Sequence, residues 1–264
     1  MQRVLAISIS VLLISLALYG CGKGAGGKES GHPPVIRIAG STSMMPISEK
    51  LARAYEIKHP GVKIHIEGGD SSLGIRGVME GILDIGSVSR PLTEEEKNSL
   101  KSYKITEDSV RIIVNEKNPV RELTINQARE VFSSKVTNWS NVGGLNRPIT
   151  VISREKGSGT HSIFEDIVMG KEAAVDEKAV VMTSTGAVLG AVMRDVNAIG
   201  YVSSNYQAGG IKTLEIHTGE NKVFVLSRTL LYVTPAGVSE LTRDYLEFCA
   251  GPEGKKIVTS HQEK

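Results

Sequence analysis

From residue 35 onward, short runs rich in valine and isoleucine alternate with longer stretches whose apolar residues recur every three or four positions. No other feature of the chain constrains its fold as much. A strand whose neighbours in sequence are helices has to find its sheet partners across crossovers, and this produces layered α/β structure. The segments "VIRIAG" (35–40), "VKIHIEGG" (62–69), "DIGSVS" (84–89), "SVRIIVN" (109–115), "PITVISRE" (148–155) and "AIGYVSS" (198–204) read as strands. Helical spacing is predicted over 46–61, 73–83, 124–133, 160–170, 187–196 and 238–251. In the first of these Ile47, Leu51, Ala54 and Tyr55 share a face, and Pro60-Gly61 ends it. The expectation is an α/β fold with mainly parallel sheets. The run "KVFVLSRTLLYVT" (222–234) is long and apolar, as a segment passing between two lobes would be. At 264 residues the chain suffices for one large domain or two small lobes.

The first twenty residues stand apart from the fold. Arg3 is followed by a fifteen-residue apolar run, Val4 to Leu18, which contains three serines. That is short for a membrane span and suits a secretory signal. "LYGC" (18–21) resembles a bacterial lipobox, which implies cleavage before Cys21 and lipid on its thiol. Residues 22–34, "GKGAGGKESGHPP", cannot build a core and read as a tether. Gly22, Gly27 and Lys28 have the spacing of a nucleotide-binding loop. Glu29, however, stands where that loop needs Ser or Thr, and no strand precedes it. The other cysteine, Cys249, lies in the helical pattern "YLEFCAG" and is expected as a buried thiol. A formal net charge of +2 does not suggest a nucleic-acid surface, so any anion would be held locally.

Three joints between a strand and a helix share one composition: "AGSTSMMP" (39–46), "GGDSSLG" (68–74) and "REKGSGTHS" (154–162). Each puts Ser or Thr beside glycine where a helix begins. There the backbone N–H groups lack intrahelical partners and the helix dipole is positive. One such joint is explained by helix capping. Three together, one of them carrying Arg154 four residues before Ser158, point to an oxyanion held by hydroxyls, backbone and a guanidinium.

A nucleophile is the competing reading of "GSGTH" (157–161). Ser158 and His161 lack a third residue to orient the base, and no G-x-S-x-G turn occurs. "GDSSL" (69–73) faintly resembles a lipase/esterase opening motif, but the late Asp-x-x-His of that family is absent. The six histidines show no metal-ligand spacing. The chain is therefore expected to be no enzyme and to need no cofactor or metal.

"GSTSMMP", "GGDSSLGI", "DIGSVSRPL", "FSSKVTNW…VGG", "SREKGSGTHSIF", "AIGYVS" and the terminal "GPEGKKIV" together resemble the periplasmic phosphate-binding proteins of Pst-type ABC transporters over nearly all of 35–260. The resemblance implies a two-lobed periplasmic binding protein fold of type II, with two crossover strands as its hinge. Lobe 1 would be 35–114 plus 226–264, and lobe 2 would be 115–225. By position, phosphate contacts would come from Thr42, Ser43, Ser71, Arg154, Ser158, Gly159 and Thr160. Further partners implied are an ABC transporter permease and a membrane reached through the lipid on Cys21, the protein being an extracytoplasmic monomer. One position departs from well-known members, where an aspartate accepts the ligand's proton. Here Ser89 stands there, followed by Arg90, as in a shorter branch of the family. Asp70 could supply the acceptor or could cap the next helix. Ser89 and Asp70 are thus further candidates, and His161 reads as a first-turn residue. Sulfate, molybdate or tungstate as ligand, or a sensing role, stays open.

Overall fold

The computed structural model describes residues 33–219 and 222–262. The signal segment, Cys21 and residues 22–32 of the tether lie outside the described residues. The strands are β1 (Val35–Ser41), β2 (Lys63–Gly69), β3 (Ile85–Val88), β4 (Lys101–Asn115), β5 (Glu122–Thr124), β6 (Thr150–Arg154), β7 (Val180–Met182), β8 (Ala198–Ser203), β9 (Ile211–Thr213), β10 (Glu215–His217) and β11 (Leu226–Thr234). The helices are α1 (Met45–Lys58), α2 (Ser71–Met79), α3 (Glu94–Ser99), α4 (Ile125–Phe132), α5 (Gly159–Phe164), α6 (Thr185–Arg194), α7 (Glu240–Ala250) and α8 (Pro252–Gln262). A π-helical turn, Glu165–Met169, prolongs α5.

One sheet runs in the order β2-β1-β3-β11-β4-β8-β6-β7, with β9 also on β4 and β5 paired separately with β10. It is mixed rather than mainly parallel. The outer pairs β1–β2, β1–β3, β6–β7 and β6–β8 are parallel, as crossover helices require. The central β11 and β4 run antiparallel to each other, because the chain leaves one lobe along β4 and returns along β11.

The core is divided along the same line. In one half, Ile36, Ile38, Leu51, Tyr55, Tyr232 and Tyr245 pack between the sheet and α1, α7 and α8. Tyr55 meets the Tyr245 ring edge-on, with centroids 5.2 Å apart. Ile75, Val78 and Val88 close the opposite face under α2. In the other half, Val131, Phe132, Phe164 and Tyr201 form the core beneath α4 and α5, and Val188 and Val192 of α6 cover Ile152 and Ile113 behind. Phe164 stacks on Tyr201 with centroids 4.0 Å apart. Ile105 of β4 belongs to the first half and Val110 to the second, while on β11 Leu230 and Leu226 divide in the same way. Both crossover strands thus change lobes over the same few residues. Cys249 is the buried thiol expected, and burial pushes its pKa up to about 12. No helix among the described residues is long and apolar enough to cross a membrane.

Candidate functional site

The three hydroxyl-rich joints converge where the lobes meet. Thr42 and Ser43 form a single 3-10 turn between β1 and α1. Ser71 opens α2, with Asp70 as its N-cap: the Asp70 carboxylate accepts from the Leu73 N–H at 2.8 Å. Ser158 caps α5 by accepting from the His161 N–H at 3.3 Å, so Gly159 and Thr160 are its first residues. Asp70 and Ser158 are thus engaged as caps, whereas the 3-10 turn and α1 start without a side-chain cap bond. Ser43, Ser71, Ser89, Ser158 and Thr160 are all at most 2% exposed.

Contacts in and across the cleft are polar and short. Ser43 Oγ lies 2.9 Å from Thr160 Oγ1. Ser41 Oγ donates to Ser89 Oγ at 2.7 Å, and the Ser89 N–H donates to Ser71 Oγ at 3.1 Å. Gly159 faces these two serines so closely that a Cβ there would fall 2.5 Å from Ser71 Oγ and 2.6 Å from Ser89 Oγ. Gly157 approaches Asp70 in the same way, with the carboxylate 2.5 Å from a would-be Cβ. The Ser72 N–H donates to the Gly157 carbonyl at 3.3 Å. Only glycine lets the 154–162 loop come this near.

Arg154 is 3% exposed at the end of β6. Glu155 holds it from Nε (2.9 Å) and Nη2 (2.7 Å), and the Met182 carbonyl accepts from Nε at 3.1 Å. Its Nη1 is thereby aimed at Thr185 Oγ1, 3.1 Å away. Thr185 was not foreseen. It opens α6, its N–H donates to Thr42 Oγ1 at 3.1 Å, and its hydroxyl lies 3.3 Å from Ser43 Oγ. The signal was present: "TSTGA" (183–187) has the composition of the other three joints.

Two further residues were also missed. Arg228 of β11 and Asp108 of β4 are direct cross-strand partners at the crossover, and both side chains are 0% exposed. Asp108 Oδ2 accepts from Arg228 Nε at 2.9 Å and from Nη2 at 2.7 Å. Arg228 Nη1 reaches Thr160 Oγ1 at 2.8 Å and the Ser89 carbonyl at 3.3 Å. Burial lowers the Arg228 pKa from its ordinary value; Asp108 opposes this and the positive charge of Arg154 adds to it. The available signal for Arg228 was a charge in the middle of the apolar run 222–234.

His161 and Arg90 turn elsewhere. The His161 Nδ1 lies 3.0 Å from Tyr201 OH, and the Ser158 hydroxyl is engaged as a cap, so no serine–base pair exists in this loop. Burial lowers the His161 pKa, and Glu165 and Glu155 pull it back. Tyr201, raised to about 12 by burial, stays a neutral phenol that also binds Ser153 Oγ at 2.8 Å and the Arg154 N–H at 3.2 Å. Arg90 leaves the cleft for Glu96, which it grips with both terminal nitrogens. Among the described residues one group with metal-ligand chemistry comes together, Glu122, Glu215 and His217 on the β5–β10 pair; it shares no residue with the cleft.

Residues 26–253 match the model of the PBP superfamily domain. A crystal structure of a phosphate ABC transporter substrate-binding protein with bound phosphate, from Clostridium perfringens, is 34% identical. The match covers 86% of this chain and 98% of that one, with a TM-score of 0.79. An ABC-type phosphate transport receptor from Vibrio cholerae is 30% identical over the same shares, with a TM-score of 0.67. The phosphate-binding protein PstS of Staphylococcus epidermidis is 28% identical across 97% of this chain and 87% of its own length. These relatives are named for binding and transport, not for catalysis.

Proposed function

The chain belongs to the PBP superfamily, and from that premise we propose that it captures inorganic phosphate between its two lobes and hands it to an ABC transporter permease. One observation carries the reading. A buried guanidinium, Arg154, and hydroxyls from four helix starts meet in one water-excluded cleft to which both lobes contribute. Such a constellation offers donors in many directions, with helix dipoles behind them, and has no activated nucleophile. The contacts we assign are the hydroxyls of Thr42, Ser43, Ser71, Ser158 and Thr160, the Arg154 fork and the backbone at Gly159, with Ser89 beside them. Asp70 is occupied as a helix cap and is left out of this set.

The lobes we assign are 35–114 with 226–264, and 115–225. The placement is extracytoplasmic and monomeric, with lipid on Cys21 as the anchor. A second reading keeps the cleft and changes the anion. Ser89, where a carboxylate would demand a protonated ligand, removes one barrier to sulfate. Calorimetric titration of phosphate-stripped protein with phosphate and then sulfate tests both. One phosphate bound per chain supports the proposal, sulfate in its place supports the second reading, and heat from neither overturns both.

A further inference from the structure

We propose that Arg228 is a second guanidinium gripping the bound anion, and that Asp108 is the residue that positions it. This rests on the phosphate reading above and deepens it.

The pair sits where β4 and β11 change lobes, face to face across the ladder. Asp108 is fully committed behind it. Its Oδ1 accepts from the Ser204 N–H (3.1 Å) and hydroxyl (2.6 Å), and its Oδ2 accepts from Ser203 Oγ (2.9 Å) and from Arg228. The Arg228 fork is thereby fixed in direction, and Nη1 enters the cleft. Its two partners there come from opposite sides: Ser89 follows a strand of the first half, and Thr160 opens a helix of the second.

The hydroxyls between the two guanidiniums form a chain. Arg154 donates to Thr185, Arg228 donates to Thr160, and Ser43 Oγ lies within 3.3 Å of both threonine hydroxyls. Two cations thus approach opposite ends of one run of three small neutral groups. A tetrahedral anion contacting this run would be flanked by a positive charge on each side. Each guanidinium already has its own carboxylate, Glu155 or Asp108, so the pairs are neutral and the cleft remains a donor site without a free acid. That arrangement suits a doubly charged oxyanion. A role in stability alone accounts poorly for the pair, since buried ion pairs are often replaced by apolar residues without loss of stability.

The experiment is calorimetric titration of the phosphate-stripped full chain with inorganic phosphate, with a thermal melt of every variant. The double variant Asp108→Leu/Arg228→Met removes both charges together; because the Ser203 and Ser204 hydroxyls and the Ser204 N–H also lose their acceptor, it is expected to fold but to melt below wild type. Its phosphate affinity should fall about a hundredfold. Arg228→Lys keeps the charge but cannot hold Asp108 and reach Thr160 and Ser89 at once, and should bind about tenfold more weakly, with a melt lowered by the bonds it loses. Asp108→Leu should add no loss of affinity once Arg228→Met is present, because it acts through the arginine. Near-wild-type binding by the double variant overturns the inference. If that variant does not fold, unchanged affinity in Arg228→Lys overturns it. Failure of wild-type protein to bind phosphate overturns the functional reading instead, and this inference with it.

Discussion

Arg154→Ala should abolish phosphate capture and leave both lobes folded. Arg154 is 3% exposed and makes five polar contacts: four through the guanidinium, Nε and Nη2 to Glu155, Nε to Met182 O and Nη1 to Thr185, and one through its backbone N–H to Tyr201. The last survives the substitution because it belongs to the backbone. Glu155 loses its partner, but its side chain is 21% exposed and water can take over the carboxylate. Thr185 keeps its hydroxyl bonds to Thr42 and Ser43. The fold therefore has an outlet for each group left behind. A bound anion has none, being sealed from water and short of the Arg154 cation. Truncating one partner of a buried, hydrogen-bonded charge pair costs about 2–5 kcal/mol, which is roughly 30-fold to several-thousand-fold in Kd. Calorimetry on stripped protein reads the affinity, and a thermal melt reads the fold. A folded Arg154→Ala protein that binds phosphate within about threefold of wild type would refute the reasoning.

The remaining predictions concern how closely the lobes approach and what pH does to one of them. Gly159→Ala places a methyl 2.5–2.6 Å from two buried hydroxyls and 2.9 Å from the Ser89 carbonyl carbon, so the lobes must part. Phosphate affinity should drop at least about tenfold, and small-angle scattering with phosphate present should show a more open particle than wild type; equal affinity and equal size would contradict this. Burial holds the His161 pKa below the ordinary imidazole value of 6.5, so the unfolded chain binds its proton more readily than the folded one. Stability contributed by the neutral ring is present above that value and is lost as pH falls from it toward the folded pKa. The melting temperature of wild type should accordingly fall more between pH 7 and pH 5 than that of His161→Gln, and equal falls would exclude the histidine as the cause.

How much of this was legible depended on whether a residue's environment is encoded locally. The helices α1, α4, α6 and α7 were readable because each buries one stripe against a sheet. The Lys101–Asp108 half of β4 was not: it crosses between lobes with exposed residues on both sides, and "KSYKITED" has only Tyr103 and Ile105 as an apolar alternation, too short to reveal it. Helix α3 escaped for a related reason. It buries nothing, and it exists through a capping box between Thr93 and Glu96 that Arg90 reinforces. The helical pattern predicted over 238–251 leaves out α8, which Pro252 starts, since proline fits the first turn. In the site, the Ser/Thr-Gly joints were visible because capping and anion binding ask for the same residues. Arg228 and Asp108 stand 120 residues apart, and only the pairing of β4 with β11 brings them together. Each alone is one charge near an apolar run.

The composition of the cleft also bears on how it would work. Thr42 and Ser43 meet Thr160 and Thr185 through hydroxyl–hydroxyl bonds. Neutral bonds of this kind contribute about 0.5–1.5 kcal/mol each in net terms. Apolar packing across the seam would hold the lobes together regardless of ligand, and the site would then neither fill nor empty readily. A seam of hydroxyls behaves differently. Each can swap a neutral partner for an oxyanion, and charge-assisted bonds are roughly twice as strong as neutral ones. The anion would gain most in the closed arrangement, where both lobes reach it. Because a ligand shifts a conformational equilibrium only by its differential affinity for the two states, small hydroxyls facing one another across the cleft make closure depend on occupancy. The same residues that give the helices their starts would thus make release possible once the lobes part, which a transport protein needs as much as it needs capture.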